Sequence, residues 1–176
     1  ARNAKFLLFD TNTPPSPEGP LVHPGEYQLR LTVDGKVQTQ ILTVKMDPRV
    51  TAPAEALQQQ NTLSMQCYEG ISQIRAVQSE VRKLREQLKD RKEKAAALAT
   101  TIDDLDKKAA ALEGRSAGLD FFGVSNREPG LAGIANGFLS LMNLLQGADA
   151  APTSQATTAV SDQTRTLKEL QAKWEE

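Results

Sequence analysis

The chain has 176 residues, with 21 Lys and Arg against 22 Asp and Glu for a net charge of −1. That balance, with no basic stripe interleaved with aromatics, argues against nucleic-acid binding, and the length suits one sizeable domain or two small ones. Aromatics make up only 5 %, while Ala, Leu, Gln, Lys and Glu dominate the second half, a helical composition.

At the start, Lys5-Phe6-Leu7-Leu8-Phe9 is a plausible strand, followed by a loop carrying Pro14, Pro15, Pro17 and Pro20. Ala1 in place of an initiator Met predicts a processed or excised piece of a longer protein. From Gly25 the pattern becomes that of a hairpin. Tyr27, Leu29, Leu31 and Val33 alternate with Gln28, Arg30 and Thr32, the period-2 signature of a strand with one buried face. Asp34-Gly35 follows, a pair suited to the positive φ of tight hairpin turns. The return strand, Val37 to Met46, puts Val37, Thr39 and Ile41 on one parity and Leu42, Val44 and Met46 on the other, so a bulge near Gln40 to Leu42 is expected. Three strands are too few for an immunoglobulin-like sandwich, which takes about seven, and a hairpin with one neighbour is marginal in water. The region is therefore expected to be part of a larger domain.

After Asp47-Pro48-Arg49, positions at alternating steps of three and four read Gln60, Leu63, Cys67, Gly70, Ile74, Val77, Val81, Leu84, Leu88, Arg91, Ala95, Leu98, Ile102, Leu105, Ala109 and Leu112. This is a stripe of about eight heptads whose exceptions are Gln60, Gly70 and Arg91. Pro53 suits a first helical turn and Gly114 a stop. Unbroken, the helix would hold about 60 residues and run to roughly 90 Å. The register passes without a skip through the charged run Lys89 to Lys94, and neither Gly nor Pro occurs there, which predicts continuity; Arg91 in a core slot is the mark a helical hairpin would leave. Arg115 to Gly130 reads as a loop. A helix over Leu131 to Gln146 carries Leu131, Ile134, Phe138, Leu141 and Leu145 on one stripe, and a last helix opened by Pro152 carries Ala156, Val160, Leu167, Leu170 and Trp174. Short connections predict antiparallel packing on the long helix. These two helices are too short to cover all of it, so part should project, pack on the β-region or meet another molecule.

Few residues invite a chemical reading. His23, between Val22 and Pro24, reads as an exposed loop residue with no nucleophile or carboxylate at a readable spacing. Asp103, Asp104 and Asp106 form neither a calcium loop nor a ligand cluster and read as a solvated helix face. The glycines between Gly114 and Gly137 follow no phosphate-loop spacing. Cys67, the lone cysteine, reads as a small core residue. No segment reaches the roughly 18 apolar residues of a membrane span, and no signal peptide is seen in these residues. No catalytic, cofactor or metal site is expected. The candidate partner-binding residues are Phe121, Phe122 and Val124, which either tuck beneath their loop or dock into a partner, and Trp174, read as bundle core or an interface anchor.

Pro24-Gly25-Glu26-Tyr27, Leu29 to Gly35, Leu42-Thr43-Val44, Asp47-Pro48-Arg49, Leu112-Glu113-Gly114, Pro152-Thr153 and Trp174, taken in order, resemble the C-terminal region of bacterial sortilin-like or Asp-box repeat β-propeller proteins. In that family a large secreted propeller precedes a small immunoglobulin-like domain and a helical tail, and many members carry a glycosyl hydrolase label inherited from sialidase-like repeats. The resemblance covers roughly residues 20 to 176. It implies an extracytoplasmic protein, periplasmic or secreted, with an upstream propeller in the same polypeptide. No Asp-box repeat, Ser-x-Asp-x-Gly-x-Thr-Trp, occurs here, so no catalytic residue is carried over. Relatives often have a looser linker where this chain has Lys89 to Lys94.

The expected fold is α+β, mainly α. A partial immunoglobulin-like β-region spans 1–50, and a helical bundle spans 51–176 with helices at about 54–113, 131–146 and 152–175 and a possible break at 89–94. The expected function is a non-enzymatic interaction or scaffold module, the tail of a larger extracytoplasmic propeller protein, bound to a protein partner or envelope assembly. The alternatives are a coiled-coil oligomerisation module and an accessory tail of a carbohydrate-active enzyme.

Overall fold

Asp34 and Gly35 both take positive φ, 48° and 75°, so the two-residue turn has the handedness that matches strand twist. It joins β1 (Gly25–Val33) to β2 (Lys36–Val44) in an antiparallel pair. A computed structural model of the chain describes residues 19–94, 98–114 and 130–175, and among these the sheet has two strands. Lys5 to Phe9, most of the proline loop, Ala95, and Phe121, Phe122 and Val124 lie outside the described residues. The ladder runs unbroken from Gly25 opposite Val44 to Val33 opposite Lys36. The expected bulge is absent: the regular register puts Leu42 and Val44 on the face of Tyr27 and Leu29, and leaves Val37 and Ile41 on the opposite one.

The Asp47-Pro48-Arg49 junction is a tight turn. Val50 N donates to Asp47 O at 3.0 Å, and the Asp47 carboxylate accepts from Arg49 N at 2.9 Å and Arg49 Nε at 3.0 Å. Aspartate at the first position and proline at the second are what such a turn favours. The same guanidinium beside Asp47 holds its carboxyl below the usual range.

Four helices follow, α1 (Ala54–Lys94), α2 (Ala99–Glu113), α3 (Leu131–Leu145) and α4 (Ser154–Glu175). Thr153 caps α4, accepting from Ala156 N at its Oγ1. The expected continuous helix to position 113 is corrected: α1 ends at Lys94, and α2 runs back along it. Lys92 pairs with Asp103 at 2.5 Å, Arg85 with Asp106 at 2.7 Å and Arg82 with Glu113 at 3.2 Å, the ladder of an antiparallel pair. Val81 and Leu88 on α1, seven residues apart, are buried, as are Ile102 and Ala109 on α2 with the same spacing. A heptad stripe reads alike whether its partner is another chain or the continuation of the same stripe folded back, so the pattern carried no mark of the reversal. Folding back covers apolar surface that a projecting helix would leave in water.

The main core lies where α1, α3 and α4 meet. Leu63, Cys67, Ile71 and Ile74 face Leu131, Ile134, Phe138, Met142 and Leu145 of α3 and Ala156, Val160, Leu167 and Leu170 of α4. Phe138 is the largest fully buried side chain among the described residues. Its ring lies on Gly70, where an added Cβ would stand 2.6 Å from Phe138 Cε2. At the far end α2 stops on Gly114, with φ +68°, and the backbone there touches the start of α3: a Cβ on Gly130 would lie 2.6 Å from Gly114 Cα.

Two predictions follow from this packing. A glycine inside an exposed helix costs about 1 kcal/mol against alanine, but overpacking a core costs about 1–3 kcal/mol. Gly70→Ala should therefore destabilise by about 1 kcal/mol net in denaturant melts, and Phe138→Leu in that background should return part of the loss. The second concerns acid. Arg85, hydrogen-bonded to Asp106, holds that carboxyl below its ordinary 3.8 in the folded chain. A folded-state value below the unfolded one means the stabilisation is complete above about pH 4 and is lost as pH falls through the folded value. Both groups are partly solvated, which keeps the effect small. Thermal melts between pH 6 and pH 3 should show a smaller fall for Asp106→Asn than for the natural chain.

Candidate interaction surface

Directly opposite residues of an antiparallel pair point to one face. The register pairs Tyr27 with Leu42, Leu29 with Gln40, Leu31 with Gln38 and Val33 with Lys36. One face therefore collects Tyr27, Leu29, Leu31, Val33, Leu42 and Val44, with Lys36, Gln38 and Gln40 beside them on β2; the other carries Glu26, Gln28, Arg30, Thr32, Thr39 and Thr43, with Val37 and Ile41 among them. The alternation predicted a buried face, and this is corrected. Leu29, Leu31, Val33 and Leu42 are 53, 61, 54 and 44 % exposed, and only Tyr27 and Val44 at the base are half-buried. No described helix lies over this face. The outer edges of β1 and β2 are likewise without a strand partner among the described residues.

The base of the hairpin, by contrast, is tied down. Leu21 N donates to Gln146 Oε1, and Asn61 Nδ2 donates to Leu21 O at 2.9 Å, so the incoming chain is held between α1 and the end of α3. Tyr27 OH donates to His23 O. Gln60 Nε2 donates to the carbonyl of Leu145, in the last turn of α3, and to that of Ala148 in the turn beyond it, which also accepts from Ala150 N. The apolar face is thus presented from a fixed root.

His23 is not the exposed loop residue expected. It is half-buried, its Nδ1 lies 3.0 Å from Pro24 O, and its Nε2 is shut off from solvent. The aspartates of α2 are engaged rather than merely solvated: Asp103 with Lys92, Asp106 with Arg85 and Asp104 with Lys107. Trp174 is half-buried near the end of α4, and its Nε1 donates to Glu80 Oε2 at 3.3 Å, linking α4 to α1. It lies apart from the hairpin's root, and Phe121, Phe122 and Val124 fall outside the described residues. Among the described residues no group of three or more His, Cys, Asp or Glu is placed to hold a metal ion, and no helix is long and apolar enough to cross a membrane. No family model, no curated protein and no solved structure matches the chain.

Sequence reasoning missed the exposed face because alternation reports two unlike faces and not which is covered. The signal that could have found it was the shortage of strands to pack against.

Cys67 is fully buried, and desolvation pushes its thiol up to about 11. At pH 8 roughly one molecule in a thousand would carry the reactive thiolate. A disulfide-exchange reagent such as DTNB should leave Cys67 unmodified in the native chain over hours and react promptly once guanidinium unfolds it.

Proposed function

We propose that the chain is a non-enzymatic interaction module in which the helical bundle serves as a rigid base and the hairpin as the docking element. The observation that carries this reading is the exposed apolar face of Leu29, Leu31, Val33 and Leu42 on a hairpin whose root is bonded to the bundle. Contiguous apolar surface of this kind marks protein interaction sites, and a lone two-stranded hairpin gains stability from a third layer or strand. The resemblance to the tails of sortilin-like propeller proteins supplies the class of partner: β-structure of a preceding domain in the same extracytoplasmic polypeptide, which would complete an immunoglobulin-like unit around the hairpin. A coiled-coil role is disfavoured because α3 and α4 cover the stripe of α1 at Leu63, Cys67 and Ile74, and Val81 and Leu88 are buried where α2 runs back, leaving Leu84 as its exposed apolar position.

The test is a photo-crosslinking residue at Leu31 in the full-length polypeptide, with a second at Arg30 on the polar face as control. A crosslink to a β-domain from position 31, absent from position 30 and abolished by Leu29→Glu, is the expected outcome. Equal labelling from both positions would overturn the docking face. Light scattering of the isolated chain should give a monomer; a stable dimer or trimer with unchanged helicity would favour oligomerisation instead.

A further inference from the structure

Eleven residues, 10 to 20, separate Phe9 from Leu21, and four of them are proline: Pro14, Pro15, Pro17 and Pro20. Leu21 is fixed at the hairpin root, its N–H donating to Gln146 Oε1 and its carbonyl accepting from Asn61 Nδ2. Whatever precedes this linker is therefore tethered beside the base of β1. A proline-rich stretch of that length reaches roughly 35 Å at about 3.1 Å per residue, more than the roughly 27 Å that nine residues of β-strand span. Every part of the hairpin is within its range. Ahead of the linker stand Lys5-Phe6-Leu7-Leu8-Phe9, with four large apolar residues in succession. A short unbroken run of this kind, bounded by prolines, fits a strand covered on both faces.

We propose that residues 5–9 of this same chain occupy the apolar face of the hairpin, as the first strand of a second layer laid over Leu29, Leu31 and Leu42. This rests on the docking face proposed above and names the segment nearest to it. A tethered strand can take an edge of the sheet or its face, and the side chains decide between them. Within a sheet, neighbouring strands set like-facing side chains in rows. At the outer edge of β1 one parity of the run would lie beside Glu26, Gln28, Arg30 and Thr32; at that of β2, beside Lys36, Gln38 and Gln40. Either edge sets Phe6 and Leu8, or Leu7 and Phe9, against a polar row. Over the face, the inward parity meets leucines and the outward one is left to β-structure further upstream, as between the packed layers of a sandwich. The lengths agree as well. Five residues of strand span about 14 Å, which matches positions 29–33, where Leu29, Leu31 and Val33 are more than half exposed.

The test is a photo-crosslinking residue at Leu31 in the 176-residue chain, with Arg30 as the opposite-face control and the products mapped by peptide mass spectrometry. Links within one molecule from position 31 to residues 5–9, in at least fivefold higher yield than from position 30, are the expected outcome. A strand turns one parity inward, so the pair Phe6→Asp with Leu8→Asp and the pair Leu7→Asp with Phe9→Asp should differ: one should cut the yield at least fivefold and the other should spare most of it. Equal loss from both pairs would mean unspecific apolar contact and would overturn the strand, as would no loss from either. Links from position 31 to a second copy, or to the proline linker alone, would overturn it too. The same residue in the full-length polypeptide separates this inference from the reading it rests on. Links from Leu31 to an upstream domain with none to residues 5–9 would remove the segment and leave the docking face standing, whereas no link from Leu31 at all would remove both.

Discussion

Phe138 lies with its ring against the bare backbone of Gly70, and that approach sets how closely α3 can lie on α1. The rest of the bundle is built outward from this contact. With α3 drawn in, Leu131, Ile134, Met142 and Leu145 reach Leu63, Cys67, Ile71 and Ile74, and α4 closes the third side through Val160 and Leu167. A side chain at position 70 would prop the helices apart and loosen contacts at every layer, because close-packed interiors transmit a local misfit. The root of the hairpin inherits the same constraint. Gln60 and Asn61 can meet the end of α3 and the chain at Leu21 only if α1 and α3 are held at this separation.

Much of the helical half was legible in the residues, and the irregularities of the pattern turn out to carry the most structure. On α3 and α4 the expected stripes match the buried residues except that Met142 is buried where Leu141 is half-buried, and Trp174 at the end of the α4 stripe is half-buried. On α1, two of the three breaks in the heptad stripe have definite jobs. Gly70 makes room for an aromatic ring, and Gln60 satisfies carbonyls at a neighbouring helix end. The third, Arg91, is exposed on the last turns of α1, beyond Leu88, where the apolar contact has run out. A stripe position filled by Gln, Gly or Arg is thus a place where the partner surface changes character.

What could not be read were relations between segments. The antiparallel return of α2 along α1 leaves the heptad phase intact, so it shows in the pairing of Arg82, Arg85 and Lys92 with acids of α2 and in the shared burial of Val81, Leu88, Ile102 and Ala109. The Asp-Gly turn was legible from local backbone preference, whereas the bulge was inferred by requiring every apolar residue of β2 to share one side. Val37 and Ile41 simply lie on the polar side. The burial of His23 has no local signal at all: its neighbours Val22 and Pro24 describe a loop, and the covering comes from α1, many residues away.

The meeting of Gly114 and Gly130 bears on how this chain can vary. Because the end of α2 and the beginning of α3 touch backbone to backbone, with a Cβ on either glycine meeting the other's backbone at under 3 Å, neither position can take a side chain without parting the two helix ends. Gly114 and Gly130 are therefore among the positions least free to change, although both stand just outside a helix.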